Sequence, residues 1–375
     1  MKKSLIALAV VGAFTSSAFA EGSNVQLYGI IDLGVTHFTG LRPSSGTGTV
    51  SSTGLDSGGQ SSSRIGLKGS EDLGGGLKAI FQAETGFCAA GTNQNTNGTG
   101  GNSNGYCSGG GFMQRTSIVG LTGGFGTVVA GRMNTPLWND EIAADPFGAG
   151  LTGNIDNISN VRFASVQRAN QTVAYVSPDL MGFTGTAVYS FAPTSATVNL
   201  AQGGSTTRAW ELNGAYKNGP MFATLDYLRI TNINGLTANS SSGNADKHWQ
   251  VTGGYDFGIA KVTGLYQDLK VDASSGKRTV WMLGASVPVG AGAVLASYGQ
   301  VKDTISNPDT GNNTAKQYAI GYTYSLSKRT NLYTSYSHIS NDTNTALAVG
   351  DSSTANLGVA GQSSSGFALG IRHKF

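Results

Sequence analysis

The sequence predicts an all-β protein, and more narrowly a 16-stranded antiparallel transmembrane β-barrel. Three observations predict this fold: an unusual composition, repeated period-two alternation, and a regular succession of short and long connections. Charged residues make up 12% of the chain and hydrophobic residues 39%, compared with ~25% and ~45–50% in soluble globular proteins. Glycine supplies 56 of the 375 residues. Such a chain is poor in the charges that cover the surface of a soluble domain.

The composition also excludes several other classes of protein. The chain has 15 Phe, 14 Tyr and 4 Trp, which is too aromatic for a disordered polypeptide. No run of ~18 apolar residues follows the N-terminal segment, and this excludes a helical membrane protein. The formal net charge is +3 and includes Lys2 and Lys3 of the N-terminal segment. A charge this small does not predict nucleic-acid binding.

Residues 1–20 are predicted to be a signal peptide. Two lysines begin the segment, residues 5–14 are apolar, and residues 18–20 read Ala-Phe-Ala, which fits the small-x-small cleavage pattern. The apolar stretch is too short to span a bilayer. We therefore expect residues 21–375 to form the mature barrel.

Two cysteines, Cys88 and Cys107, lie in a stretch rich in Gly, Asn and Ser. An exported chain passes through an oxidising compartment, which favours a disulfide between them. That bond would close a loop of about 20 residues and stabilise the fold by roughly 3 kcal/mol. Two free thiols are the alternative. No histidine lies between the cysteines and the four histidines of the chain are scattered, so neither a metal site nor a cofactor is predicted.

Period-two alternation predicts β-strands whose two faces differ. Trp249, Val251 and Tyr255 alternate with Gln250 and Thr252, and the same pattern recurs at residues 183–191, 210–217 and 318–326. One face of each run is apolar and aromatic, whereas the other is small and polar. In an exported chain this pattern is typical of strands that turn their apolar face to lipid and their polar face to a water-filled lumen.

The connections between these runs alternate in length. Short turns are predicted at residues 71–76, 123–126, 177–182, 217–219, 257–259, 288–292 and 327–330. Longer loops are predicted near residues 40–60, 87–111, 133–165, 193–207, 232–247, 272–277, 303–315 and 342–364. These connections join sixteen strands, as in barrels with short periplasmic turns and longer external loops.

The last predicted strand ends the chain on an aromatic residue, Phe375. An open sheet edge in lipid would leave backbone N–H and C=O groups unpaired at several kcal/mol each. We therefore expect this strand to pair with the first one, Val25 to Phe38, and to close the ring at Phe375.

Five segments carry a resemblance to a known family: residues 25–29, 63–74, 119–132, 170–178 and 370–375. Together they resemble the Gram-negative trimeric general diffusion porin family, in the style of its β-proteobacterial branch. The resemblance implies an outer-membrane location, a homotrimer of 16-stranded barrels, and a third external loop that folds into the lumen and narrows it. That loop is Met133 to about Ser165. A short helix is predicted at Leu137–Ala144, and it should end there because Pro146 disfavours a helical conformation at the residue before it.

The basic residues of the predicted pore wall follow from alternation and from the resemblance. Arg64 alternates with the apolar Ile65, which predicts that Arg64 and Lys68 face the lumen. Arg168 likewise shares the polar face of its strand. The resemblance implies that Arg64, Arg132 and Arg168 line the constriction, although parity alone leaves the orientation of Arg132 open.

Acidic residues are expected opposite this wall, on the inserted loop. The resemblance implies carboxylates there, and the candidates are Asp140, Glu141 and Asp145. A basic wall that faces an acidic loop creates a transverse field, which favours polar solutes over apolar ones. We therefore predict passive diffusion of small hydrophilic solutes and ions with a mild preference for anions. The expected partners are outer-membrane lipid, lipopolysaccharide and the solutes.

Other functions compete with this interpretation. A substrate-specific channel would show eighteen strands and a line of aromatic residues along the lumen. A barrel enzyme would need clustered catalytic groups, for which Ser337, His338 and Asp342 are the candidates. A surface adhesin would suit the long Gly/Asn/Ser loops. Neither feature of a substrate-specific channel is seen in the sequence, and an adhesin does not require charged residues in a long inward loop.

Overall fold

The computed structural model describes residues 24–90, 113–164, 166–191, 208–231, 245–272, 274, 276–305, 311, 313–352 and 356–375. The predicted signal peptide and Cys107 lie outside these residues. Within them, seventeen β-segments form one closed antiparallel sheet. The first nine are β1 (Asn24–Leu41), β2 (Val50–Ser57), β3 (Arg64–Gly74), β4 (Leu77–Gly86), β5 (Thr116–Gly123), β6 (Gly126–Asn134), β7 (Arg168–Val176), β8 (Phe183–Ser190) and β9 (Arg208–Asn218).

The remaining strands complete the wall. They are β10 (Met221–Thr231), β11 (Ala245–Asp256), β12 (Lys261–Lys270), β13 (Lys277–Val289), β14 (Gly292–Asp303), β15 (Thr314–Ser325), β16 (Thr330–Asn341) and β17 (Ser364–Lys374). Two short helices, α1 (Pro136–Ala144) and α2 (Asn160–Phe163), and a 3-10 helix (Ile155–Asn157) lie between β6 and β7. Among the described residues, no helix is long and apolar enough to cross a membrane.

The seventeen segments occupy sixteen positions around the barrel, because β2 and β3 share one. β3 pairs with residues 24–30 of β1, and β2 pairs with residues 33–41 of the same strand. The structure thus confirms the 16-stranded closed barrel and corrects one boundary, since β2 lies inside the predicted loop 40–60. Its Ser- and Gly-rich sequence shows little alternation, and its strand conformation comes from pairing with the long first strand.

The barrel closes where the two chain ends meet. β17 pairs with β1 in a register that runs from Ile30 opposite Lys374 to Thr39 opposite Ser365. Beyond that register, the backbones of Gly29 and Phe375 exchange two hydrogen bonds of 3.1 Å. The sheet therefore has no open edge here, as lipid requires.

The two faces of the wall differ as the alternation predicts. On the outer face, Leu225 and Val251 are each 50% exposed. On the inner face, the neighbouring Asp226 and Gln250 are fully buried. Apolar side chains would not be exposed in this way in a soluble protein, since a patch this extensive marks a membrane or an interface.

The segment between β6 and β7 packs against the inner face of distant strands. Leu137 and Trp138 of α1 lie with Leu228 and Ile230 in one apolar cluster. Two further clusters join the segment to β12–β16, and they contain Ile155, Ile158, Leu265, Val280 and Met282, and Phe147, Leu151, Leu295, Ala319 and Tyr333. The helix begins one residue before the predicted start, at Pro136, which suits the first helical turn, and it ends at the predicted Ala144.

Replacing Gly29 with Ala is expected to weaken closure of the barrel. A Cβ atom at this position would overlap the Phe375 ring and lie 2.8 Å from the Arg64 carbonyl oxygen. Overpacking of this kind destabilises by about 1–3 kcal/mol. Urea titration of the refolded protein in lipid vesicles should show that loss. Gly185→Ala is the matched control, because its added methyl meets nothing within 4 Å; equal stability of the two variants would contradict the packing described.

Candidate functional site

The segment between β6 and β7 is held by buried carboxylates. Glu141 Oε2 accepts a hydrogen bond of 2.6 Å from Ser159 Oγ and another from Gln267 Nε2. At the start of α1, Glu211 Oε1 accepts a hydrogen bond of 2.6 Å from the Leu137 backbone N–H. A carboxylate near a helix N-terminus is favourable, because it meets the positive end of the helix dipole.

A second carboxylate, Asp145, organises the turn that follows α1. It accepts three backbone N–H hydrogen bonds: 3.0 Å from Phe147, 2.9 Å from Ala149 and 3.1 Å from Ile155. Burial raises the pKa of the Asp145 carboxyl to about 7, against the effect of the three donors. Asp145 therefore fixes the shape of the loop.

These contacts correct the prediction that Glu141 and Asp145 face the pore. Glu141 is 0% exposed and Asp145 is 5% exposed. Neither lines the cavity described below. Buried backbone N–H groups and side-chain donors need acceptors, and these two acids supply them. Sequence spacing alone does not distinguish such an anchor from a wall charge.

A water-accessible cavity of about 790 Å³ lies between the segment and the inner faces of β3–β9. Its charged lining consists of three arginines and three carboxylates: Arg64, Arg115, Arg168, Glu84, Asp140 and Asp156. The other lining residues include Gln60, Ser62, Gln82, Asn134, Asn139 and Asn213. Apolar residues such as Ile118 and Val129 also line the cavity, and the polar ones offer hydrogen-bond partners to water.

Two of the arginines share one carboxylate on the strand wall. Arg115 Nε lies 2.6 Å from Glu84 Oε1, and Arg64 Nε lies 3.6 Å from Glu84 Oε2. Tyr28 also donates a hydrogen bond of 3.0 Å to Glu84. Two permanent positive charges around one carboxylate leave this part of the wall with an excess of positive charge.

Asp140, a candidate from the sequence, belongs to α1 and is among the residues that line this cavity. Asn213 Nδ2 donates hydrogen bonds of 2.7 Å to Asp140 Oδ2 and 2.8 Å to Asp226 Oδ1. Burial raises the pKa of the Asp140 carboxyl above its usual value. Asp156 contributes a second loop carboxylate, which is 7% exposed.

Arg132 and Lys68 are not among the residues that line this cavity. Arg132 lies at a bulge in the pairing of β6 with β7, and its guanidinium donates to Asn170 Oδ1 and to the Gln114 carbonyl. Lys68 lies four residues beyond Arg64 toward the turn end, about 13 Å along the strand, and its ammonium group is 5.4 Å from the centre of the Tyr28 ring. Arg132 thus contacts residues on both sides of the loop base, and Lys68 lies nearer the turn end of the barrel; the predicted place of these two residues in the constriction stays a prediction.

The predicted disulfide and the candidate catalytic residues lie in separate parts of the chain. Cys88 takes part in a disulfide, and Cys107 lies outside the described residues. Ser337 and His338 are consecutive residues of β16, so they point to opposite faces of the sheet; His338 Nδ1 lies 2.8 Å from Ser365 Oγ. This geometry does not form a catalytic cluster. Among the described residues, no group of three or more His, Cys, Asp or Glu side chains is arranged to hold a metal ion.

Sequence reasoning missed Glu84, Arg115 and Asp156. Glu84 lies on the inner face of β4, in alternation with the outward Phe81 and Ala83. A lone acid on the inner face of the strand that follows Arg64 could have indicated an ion pair between them. Arg115 has outward parity but precedes the first residue of β5 and turns to Glu84. No pattern in the sequence marks Asp156, because its position depends on the path of the loop.

Comparisons with known proteins agree with this architecture. A family model described as Gram-negative porin matches residues 7–344. Outer membrane porin protein 32 of Delftia acidovorans is 35% identical, with 100% of both chains covered. An outer membrane porin protein of Bordetella pertussis is 30% identical with the same coverage. The solved anion-selective porin from Comamonas acidovorans gives a TM-score of 0.75 at 31% identity, covering 94% of this chain and 100% of that chain.

Removal of the Asp145 carboxylate should loosen the loop without opening the barrel. Asp145→Ala leaves three buried backbone N–H groups without their acceptor, at about 1–3 kcal/mol each. We expect larger fluctuations and a higher mean conductance of the reconstituted protein in planar bilayers. Asp179→Ala is the matched control, since it removes a single hydrogen bond, 2.8 Å from Gly182, in an exposed turn. A current trace of Asp145→Ala that matches the control would show that Asp145 does not hold the loop.

Proposed function

The chain belongs to the Gram-negative porin family, and on that premise we propose that its pore conducts small hydrophilic solutes and ions with a mild preference for anions. The family resemblance predicted from the sequence is confirmed by the matching family model and by full-length relatives. The protein is thus an outer-membrane diffusion channel of a Gram-negative bacterium, and not an enzyme.

The observation that carries the proposal is the charged, water-accessible cavity inside the barrel. Its arginines lie on the strand wall, and its carboxylates Asp140 and Asp156 belong to the segment between β6 and β7. Charges on two sides of a wet space produce a transverse field, which acts on ions at short range because the Debye length is ~8 Å at physiological salt. This arrangement supports selection of solutes by charge and size.

We infer that the segment between β6 and β7 lies in the lumen and narrows it. It packs against strands from β9 to β16, and Gly150 approaches the Gln60 carbonyl beside β3. A loop that touches inner-face residues on opposite parts of a closed barrel has to cross its interior. Arg64 and Arg168 would then form the basic side of the constriction, and Asp140 the acidic side.

The proposed preference for anions follows from the unequal ionisation of the basic and acidic sides of the constriction. Arginine stays protonated at all physiological pH values, whereas burial favours the neutral form of Asp140. The similar porin from Comamonas acidovorans is described as anion-selective. Both observations support a pore in which positive charge prevails.

A general channel fits the lining better than a sugar-specific one. Trp138 is the single aromatic side chain among the described residues that line the cavity. A sugar channel would need a track of aromatic rings for stacking. The sixteen-stranded wall likewise differs from the eighteen strands predicted for such a channel.

The proposed assembly is a homotrimer in contact with outer-membrane lipid and lipopolysaccharide. The family resemblance implies a homotrimer, and the outer face of β1 and β5 exposes Val25, Leu27, Val119 and Leu121. An apolar outer face can be covered either by neighbouring protomers or by acyl chains.

Neutralising two wall arginines should reduce the preference for anions. In Arg64→Gln/Arg168→Gln the constriction loses two permanent charges, so the reversal potential under a KCl gradient should move toward the value for a non-selective pore. Lys68→Gln is the control, because Lys68 is outside the cavity, and it should shift the potential less. If the double variant keeps the reversal potential of the unaltered protein, these arginines are not in the constriction.

Acid should strengthen the preference for anions. The raised pKa of Asp140 means that this side chain is protonated at a higher pH than an ordinary Asp, whose pKa is about 3.9. As the pH falls, Asp140 loses its charge while the arginines keep theirs. The anion-to-cation permeability ratio should therefore rise between neutral and mildly acidic pH, and Asp140→Asn should flatten that rise. Asp256→Asn, in an exposed turn, should preserve it; a pH profile that Asp140→Asn leaves unchanged would assign the titration to another group.

A further inference from the structure

The connection between β2 and β3 leaves the barrel wall and bends into the interior. Both strands pair with β1, and residues 58–63 join them. We call residues 58–63 the inner bend. Three of its members, Gln60, Ser61 and Ser62, line the water-accessible cavity. The inner bend is therefore part of the cavity lining, although it belongs neither to a strand of the wall nor to the segment between β6 and β7.

The inner bend is wrapped around the Asp32 side chain of β1. Asp32 Oδ2 accepts hydrogen bonds of 3.0 Å from the Gln60 backbone N–H and 2.7 Å from the Ser61 backbone N–H. The backbone carbonyl of Asp32 accepts a third hydrogen bond, of 2.8 Å, from the Gly58 N–H. Asp32 is fully buried. A buried carboxylate that accepts two adjacent backbone N–H groups fixes the path of that backbone, because these donors have to be paired.

Tyr333 of β16 reaches Asp32 from across the junction that closes the barrel. Its hydroxyl donates a hydrogen bond of 2.7 Å to Asp32 Oδ1. Tyr333 pairs with Gly370 of β17, and Gly370 pairs with Gly34 of β1. A Cβ atom at either glycine would overlap the Tyr333 hydroxyl group, so the missing side chains leave room for the tyrosine to extend over β17 to β1. This contact can form only when the first and last strands are paired.

Two more side chains at the junction contact the inner bend. Arg372 Nη1 donates a hydrogen bond of 2.8 Å to Ser61 Oγ, and Asn331 Nδ2 donates one of 2.8 Å to Gln60 Oε1. Asp32, Arg372 and Asn331 are directly opposed across β1, β17 and β16, and they form one polar row on the inner face. The inner bend is thus attached to three neighbouring strands, on both sides of the barrel closure.

The tip of the segment between β6 and β7, which we define as residues 148–152, rests on the inner bend. The Leu151 backbone N–H donates a hydrogen bond of 2.7 Å to the Gly59 carbonyl oxygen. Gly150 approaches the Gln60 carbonyl oxygen so closely that a Cβ atom there would overlap it. Other residues of the tip line the same cavity as the inner bend. Because backbone contacts backbone here, the position of the tip follows that of the inner bend.

We propose that Asp32 is a positioning residue of the pore, which limits the size of the solutes that pass by holding the inner bend and, through it, the tip. This inference rests on the proposed function, since it takes the cavity to be the conducting path. The inner bend and the tip meet at one side of that cavity, and a separation of the two would widen it. No residue of the inner bend or of the tip is charged. The widening should therefore raise the size limit and leave the preference for anions unchanged.

The first test removes one hydroxyl group, in Tyr333→Phe, and follows hydrogen exchange of the Leu151 backbone amide by NMR of the refolded protein in detergent micelles. Without this donor the Asp32 carboxylate holds the inner bend less firmly, and the tip should leave the inner bend more often. Exchange at Leu151 should become at least about fivefold faster. The Leu137 amide, at the start of α1, should keep its exchange rate. If Tyr333→Phe does not fold, Asp32→Asn takes its place, because it keeps the size of the side chain and loses one acceptor oxygen.

Tyr175→Phe is the matched control, because the Tyr175 hydroxyl donates a hydrogen bond of 2.8 Å to the Phe125 carbonyl at the turn end of the barrel. This variant should leave exchange at Leu151 unchanged. Equal exchange at Leu151 in Tyr333→Phe and Tyr175→Phe would overturn the proposal. Faster exchange of Leu151 and Leu137 together would also overturn it, since that result indicates loosening of the whole segment and not release of its tip.

The second test measures the size limit of the pore by liposome swelling. Gly150→Ala places a methyl group against the Gln60 carbonyl and displaces the tip without touching Asp32. Tyr333→Phe and Gly150→Ala should each shift the largest sugar that enters toward larger sizes. The double variant should add little to either shift, because both changes release the same contact. All three variants should keep the reversal potential of the unaltered protein under a KCl gradient. Additive shifts, an unchanged size limit or an altered reversal potential would overturn the proposal.

The two measurements separate this proposal from the proposed function, because hydrogen exchange does not require conduction. If the unaltered protein swells no liposomes but exchange at Leu151 is faster in Tyr333→Phe alone, the pore proposal fails and the positioning of the tip by Asp32 stands. If the unaltered protein conducts and exchange at Leu151 is the same in Tyr333→Phe and Tyr175→Phe, the pore proposal stands and the role of Asp32 is overturned.

Discussion

The structure depends on one constraint, which is that every backbone N–H and C=O group in the hydrocarbon layer must be paired within the protein. A sheet meets this condition only when its first and last strands join, and here β1 and β17 do so over ten registered pairs. The absence of a side chain at Gly29 lets the Phe375 ring settle against the first strand at this junction. Because the wall is closed, each strand has one face toward lipid and one toward the interior, and alternation then decides the chemistry of both sides.

In the interior, polar side chains point inward from every strand and need hydrogen-bond partners. Part of that demand is met by the segment between β6 and β7, whose backbone and side chains are held by Glu141, Asp145 and Glu211. The remaining polar groups line a water-accessible space in which Arg64 and Arg168 lie on the wall. The acids of the loop therefore divide into two groups: Glu141 and Asp145 are buried anchors that define its path, and Asp140 and Asp156 line the water-accessible space.

The sequence predicts the fold well because each strand repeats the same signal. Alternation, turn length and the terminal Phe375 were sufficient for strand number and closure, and only β2 was missed, because its small residues alternate weakly. The site was less predictable. Arg64, Arg168 and Asp140 followed from parity and family resemblance, whereas Glu141 and Asp145 could not be separated from wall residues, since their burial depends on how the loop folds. Glu84 and Arg115 form a pair that is distant in sequence, and only the register of β4 and β5 brings them together.

The central claim is that the barrel encloses a continuous water path with a charged constriction. The most direct measurement is the swelling rate of liposomes that contain the purified protein, in isotonic solutions of sugars of increasing size. The account predicts fast swelling with the smallest sugar and a steady decline in the swelling rate as the sugar approaches the size of the constriction. No swelling with even the smallest sugar, from protein shown to be folded and inserted, would contradict it.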